Sequence, residues 1–217
     1  MERIKKEIKE RVMERIRKAG DSENYETSWN EEGKFISKKK TEIKKGKKSK
    51  TKGASFELKV RKDLEAKGRI VDKWTNNVGM WDKEGNIVVK KIINKRERYV
   101  VQKTKEEIYF KEIIFNKIVS SKKIFNPFKK IMIPGAGFPD FISIKHVHDE
   151  LYSVIGVEVK INGVLSKIEK EKCVWYLRNK IFSQIWIAKA VKKSRKLEIE
   201  YNDFNEKYGF KFKTKSQ

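Results

Sequence analysis

The chain has 217 residues, 38% apolar and 39% charged, and its 54 Lys+Arg against 30 Asp+Glu leave a formal net charge of +24 at pH 7. That length suits one well-buried domain with an extension, and the spread of Ile, Val, Phe and five Trp excludes wholesale disorder. A charge this large points to a polyanion, a phosphate backbone foremost, while a single cysteine, Cys173, and two histidines exclude a disulfide framework and argue against a zinc cluster.

No run approaches the roughly 20 apolar residues that span a bilayer, and the start, MERIKKEIKE, is a charged helical pattern without a signal-peptide core. A soluble protein of the reducing cytoplasm, associated with a phosphate backbone and not with membranes, is expected. The abundance of Lys, Glu and Ile resembles that of proteins from heat-loving organisms, where dense charge forms ion-pair networks.

Ile4, Ile8, Val12 and Ile16 recur every four residues and predict an amphipathic helix ending near Gly20. Its apolar stripe packs on the protein's own core or a twin subunit; a partner-binding or membrane-surface helix is the alternative. From Asp21 to Gly53 this periodicity disappears, and Lys34 to Lys52 holds ten lysines against one acid, Glu42. The segment reads as a flexible basic arm that neutralises phosphates without sequence preference, or else a solvated tail. Lys38, Lys39, Lys40, Lys44, Lys45, Lys47 and Lys48, with Lys129 and Lys130 further on, are the candidate nucleic-acid contacts. Residues 1–52 thus form an N-terminal extension and 53–217 a folded domain.

Phe56, Val60 and Leu64 predict a helix of about four turns stopped by Gly68, then RIVDKW a strand and TNNVG a turn. Between about 80 and 130, NIVVKKII, RYVVQ and EIYFKEIIF predict inserted hairpins and no second domain. IPGAGFPDFISIKHV and LYSVIGVEVKI, separated by a polar turn at His148 to Glu150, predict an antiparallel hairpin. Ser166 to Lys180 follows as a helix, and FSQIWIAKAV and KLEIEY as further strands. The order suggests an α/β sheet with helices on its faces.

Asp140 opens one strand of that hairpin and Glu158 and Lys160 end the other, so three charged groups meet at one edge. A glutamate and a lysine two residues apart in YSVIGVEVKI share a face, and burying them costs free energy unless each is paired or bound to an ion. Two close carboxylates attract a hard divalent cation such as Mg2+, and a lysine beside it orients or deprotonates a bound water or stabilises charge on phosphorus.

Pro139-Asp140, then Glu158-x-Lys160 eighteen residues on, resembles the PD-(D/E)XK nuclease superfamily. GFPDF begins a strand, GVEVK lies in the next, and a helix follows near Leu165-Ser166, over a resemblance running from about Gly53 to Ala190. It implies a restriction-endonuclease-like mixed β-sheet core flanked by helices, with an inserted β-hairpin region and a basic N-terminal extension. It further implies that Asp140 and Glu158 hold Mg2+ (Mn2+ substituting) with the Val159 carbonyl, that Lys160 acts on water, and that Glu57 matches an additional acidic ligand of archaeal Holliday-junction resolvases. The expected activity is metal-dependent DNA endonuclease hydrolysis. The alternatives are a junction or flap resolvase, with homodimerisation compatible, a non-catalytic basic DNA-binding protein, or an RNA-processing factor.

Alternatives remain at single positions. Glu57 can pair with Arg61 one turn on, Asp140 can be a turn residue, and Glu158 with Lys160 can be a salt bridge. Related enzymes often complete the site with a glutamine or lysine on the following helix; here Glu169, Glu171 and Lys172 are available, and none is assigned. His146 and His148 read as exposed turn residues. Trp74, Trp81, Phe125 and Phe128 either stack on bases or pack, Thr75, Asn76 and Asn77 can bond phosphates, and Gly135-Ala136-Gly137 gives the backbone room beside the metal.

Overall fold

A computed structural model describes residues 2–18, 22–29, 35–93, 96–121, 124–126, 131–133, 135, 137–194 and 196–209. Lys129, Lys130, Phe128 and Ala136 lie outside them. The chain divides into two units, Met1–Ser55 and Phe56–Gln217.

In the first unit, α1 (Glu2–Lys18) is followed by the antiparallel hairpin of β1 (Tyr25–Trp29) and β2 (Phe35–Lys39). Ile16 is buried, whereas Ile4 and Ile8 are 61% and 43% exposed, so the apolar stripe of α1 is covered only near its C-terminal end. Helix α2 (Lys40–Ala66) then runs through the boundary between the units without a break. The expected flexible arm is therefore corrected over Phe35–Lys52: it is strand and helix. Lysine is a good helix former, so a lysine-rich run propagates a helix once one is nucleated. Phe56, Val60 and Leu64, all buried, anchor it downstream, each contributing roughly 1.5–3 kcal/mol through burial. The predicted four turns from Gly53 are the second half of a 27-residue helix.

Gly68 ends the helix as expected, adopting φ +71° while its N–H bonds the Glu65 carbonyl at 2.9 Å. There follow β3 (Ile70–Lys73), β4 (Asn76–Trp81), β5 (Val88–Ile93), β6 (Arg96–Val101), β7 (Glu107–Ile108), β8 (Ile114–Ser120), β9 (Ile124–Asn126) and β10 (Ile131–Ile133). The expected turn at TNNVG is overturned, because Asn76–Trp81 pairs antiparallel with β8 and buries Val78. Cross-strand pairing here overrides the turn preference of Asn and Gly. Glycine still has a purpose, since a Cβ on Gly79 would lie 1.9 Å from the Trp81 ring. Strands β5, β6 and β7 form a separate three-stranded sheet, in keeping with inserted hairpins.

The chain continues with β11 (Phe141–His148), β12 (Leu151–Val159), α3 (Lys167–Arg178), β13 (Gln184–Lys193), β14 (Lys196–Asp203) and α4 (Phe204–Tyr208). The result is a mixed five-stranded sheet of order β14-β13-β12-β11-β3, in which β12 and β13 are parallel and every other pair antiparallel. Parallel neighbours need a crossover, and α3 supplies it. Phe56, Val60 and Leu64 of α2 pack with Phe141, Ile155, Val157 and Ala188 in one cluster. Cys173, Val174 and Tyr176 of α3 pack with Ile185, Ile187, Phe182 and Phe138 in another. Alternation along the strands sends these two sets to opposite faces, so the sheet carries a helix on each.

Candidate active site at the ends of β11 and β12

Phe141 pairs with Val157, which sets Asp140 beside Glu158 at the mouth of the hairpin. The Asp140 amide donates to Glu158 Oε2 at 3.2 Å, and the Val159 amide donates to Asp140 Oδ2 at 2.9 Å. Lys160 follows the last strand residue, its backbone N–H bonded to the Ala188 carbonyl at 2.9 Å and its ammonium 3.0 Å from Glu158 Oε1. The hairpin therefore brings Asp140, Glu158 and Lys160 together.

Several groups fix the approach to Asp140. The Trp74 amide donates to the Asp140 carbonyl at 3.1 Å, and the Phe138 amide donates to the Asn76 carbonyl at 2.9 Å. Tyr176 on α3 donates its hydroxyl to the Phe138 carbonyl at 2.8 Å and accepts from Trp74 Nε1 at 3.2 Å. Gly137 is required by close packing, because a Cβ there would fall 2.0 Å from the Trp74 carbonyl oxygen. The room it gives is for the chain at Trp74 and Asn76.

Glu158 is 4% exposed, and burial, reinforced by the Asp140 charge, pushes its carboxyl up to about 8. Asp140 is also raised: burial leads, the Val159 N–H opposes it, and Glu57 adds to it. Burial alone would lower the Lys160 ammonium, but Glu158 and Glu169 outweigh it and the net direction is upward.

Glu57 does not pair with Arg61, which bonds Glu65 at 2.8 Å. Its carboxylate meets Lys73 of β3 at 2.5 Å. The same ammonium lies 4.7 Å from the centre of the Phe141 ring, and both Glu57 and Lys73 are close enough to act on Asp140. Two lysines, Lys73 and Lys160, thus flank the acidic pair, and only the second was legible in the sequence.

Helix α3 contributes two more groups. Glu169 Oε1 accepts from Lys160 Nζ at 2.7 Å, while its Oε2 accepts the Ser166 amide at 2.7 Å in a capping box. Lys172 stands 5.7 Å from the Phe138 ring centre, and burial lowers its ammonium to about 8 against the opposing pull of Glu169 and Glu158. The Ser166-x-x-Glu169 spacing was a readable sign of the cap, though not of the ion pair with Lys160.

The remaining candidates take ordinary positions. His146 and His148 interact with Asp149 in the exposed hairpin turn. Trp74 packs against Tyr176 and Phe182, and Trp81 lies beside Lys117. Asn77 Oδ1 is taken by the Val78 amide and the Thr75 carbonyl by the Ser121 amide. Lys38 and Lys39 are exposed on β2, and Lys40, Lys44, Lys45, Lys47 and Lys48 are exposed on α2. At about 100° per residue these five α2 lysines share one broad helical face.

Among the described residues, no cluster of three or more His, Cys, Asp or Glu side chains is arranged as a metal site, and no helix is long and apolar enough to cross a membrane. The chain matches no protein-family model, no curated protein and no solved structure.

Proposed function

We propose that the chain is a metal-dependent DNA endonuclease with a PD-(D/E)XK-like, restriction-endonuclease-like core. The observation that carries this reading is the meeting of Asp140, Glu158 and Lys160 at the paired ends of β11 and β12. Two desolvated carboxylates forced together are an unfavourable arrangement until a cation shares them. The donor set suits Mg2+, which is commonly held by only one or two carboxylates and keeps several waters. Asp140 and Glu158 would hold the ion with the Val159 carbonyl, and Mn2+ would substitute. When bound, such an ion lowers the pKa of water and offsets charge on the phosphate.

The chain's own residues do the rest. An ammonium has three N–H donors, and two of those on Lys160 go to Glu158 and Glu169. The third is available to a water or a phosphate oxygen. The lysines of β2 and α2 supply sequence-independent attraction to the phosphate backbone. Glu57, already paired with Lys73, adds negative charge beside Asp140.

A second reading is a non-catalytic DNA-binding protein, favoured by the ion pairing that Lys160 already makes with Glu158 and Glu169. Cleavage of a labelled panel of plasmid, linear duplex, single strand, flap and four-way junction, in Mg2+ or Mn2+ against EDTA, separates the two. Metal-dependent cutting supports the endonuclease, preference for the junction or flap makes it a resolvase, and salt-sensitive binding without cutting supports the second reading.

A further inference from the structure

Lys160 sits just beyond the end of β12, where the sheet no longer holds the chain on both sides. Its side chain carries four rotatable bonds and considerable conformational freedom. Its position is nevertheless defined, because the ammonium lies between two carboxylates, Glu158 at 3.0 Å and Glu169 at 2.7 Å. These partners differ in kind. Glu158 belongs to the acidic pair that a cation would share, so a bound cation would compete with Lys160 for its carboxylate. Glu169 comes from α3 and not from the hairpin, acts on Glu158 only through its charge, and is itself fixed, its second oxygen taking the Ser166 amide at 2.7 Å in the first turn of α3.

We propose that Glu169 is a positioning residue, keeping the Lys160 ammonium beside the scissile phosphate while Glu158 is released to the metal; this rests on the nuclease reading above. Helix α3 is well suited to the task. Its Tyr176 bonds the Phe138 carbonyl two residues before Asp140, so one helix braces both the lysine and the acidic side of the site.

The test separates the clamp from the cap. Glutamine at position 169 can still accept the Ser166 amide through its carbonyl oxygen, but that leaves an NH2 donor facing the Lys160 ammonium, which is also a donor. Ser166→Ala has the reverse effect, removing the hydroxyl half of the cap and sparing the bond between Glu169 and Lys160. Single-turnover cleavage, duplex affinity, thermal midpoint and the 15N-edited NMR signal of the Lys160 ammonium in metal-free protein are measured for wild type and both variants.

For Glu169→Gln the expected result is a fall in the cleavage rate of about tenfold or more, with duplex affinity unchanged and the Lys160 signal lost to solvent exchange. For Ser166→Ala it is a lower midpoint with the signal and rate retained. Wild type that cuts, together with a Glu169→Gln variant that keeps both rate and signal, overturns the positioning role alone. Wild type that cuts nothing contradicts the nuclease reading, and the catalytic purpose of Glu169 falls with it.

Discussion

The backbone amide of Asp140 donates to the side chain of Glu158 at 3.2 Å, and through that bond the first residue of the site orients the second. The return bond, from the Val159 amide to Asp140 at 2.9 Å, closes a small ring that straddles the two strand ends. Hairpin pairing and site geometry are therefore one structure, and a change that disturbs one disturbs the other.

The first consequence concerns pH. Glu158 titrates near 4.5 in an unfolded chain and near 8 when folded, so between these values the folded metal-free protein holds a proton that the unfolded chain has released. Stability then falls as pH rises through that window. Lys172 behaves in the opposite sense: its folded value near 8 lies below the ordinary 10.5, so stability rises again between them. The thermal midpoint in EDTA should pass through a minimum near pH 8. Glu158→Gln should flatten the falling limb and Lys172→Met the rising one, as differential scanning fluorimetry across pH would show.

Tyr176→Phe removes a buried donor from the Phe138 carbonyl and an acceptor from Trp74 Nε1. Leaving both groups unsatisfied should cost about 1–3 kcal/mol, read as a lower urea midpoint with an unchanged slope. Because the deleted bond holds the segment entering Asp140, cleavage should fall as well.

Gly156 lies on β12 beneath Pro139. A Cβ there would stand 2.8 Å from Pro139 Cγ and 3.1 Å from the Phe182 ring, neither of which is the free end of a flexible chain. Gly156→Ala should therefore destabilise by about 1–3 kcal/mol and displace Asp140, lowering the cleavage rate more than duplex affinity. An unchanged rate would show that Pro139 does not transmit the strain.

Replacing Lys44, Lys45, Lys47 and Lys48 by Gln should weaken duplex binding uniformly across sequences. The slope of log affinity against log salt should shallow by about 0.9 for each phosphate that is no longer neutralised. Fluorescence anisotropy over a salt series measures both quantities, and an unchanged slope would remove this helical face from the interface.

The β11–β12 hairpin was legible because LYSVIGVEVKI and FISIKHV have strand composition and matched length around a polar turn. Gly68 was legible as a stop because a helix end in the left-handed conformation favours glycine. The first half of α2 was not, since Lys40–Lys52 has helix propensity but no apolar period, and its anchor lies at Phe56, Val60 and Leu64. β4 was hidden because Asn76 and Asn77 look like turn residues until their distant partner strand β8 is known. Asp140, Glu158 and Lys160 lie on one hairpin, so local pattern places them. Lys73, Glu169 and Lys172 reach them only through tertiary packing, which spacing does not reveal.

The most direct test is plasmid cleavage in Mg2+ by wild type, Asp140→Asn and Glu158→Gln at matched duplex occupancy, each checked for folding. On the nuclease reading, wild type converts supercoiled DNA while both variants bind equally well and leave it intact. Cutting by either variant at the wild-type rate, or binding without cutting by all three, would contradict it.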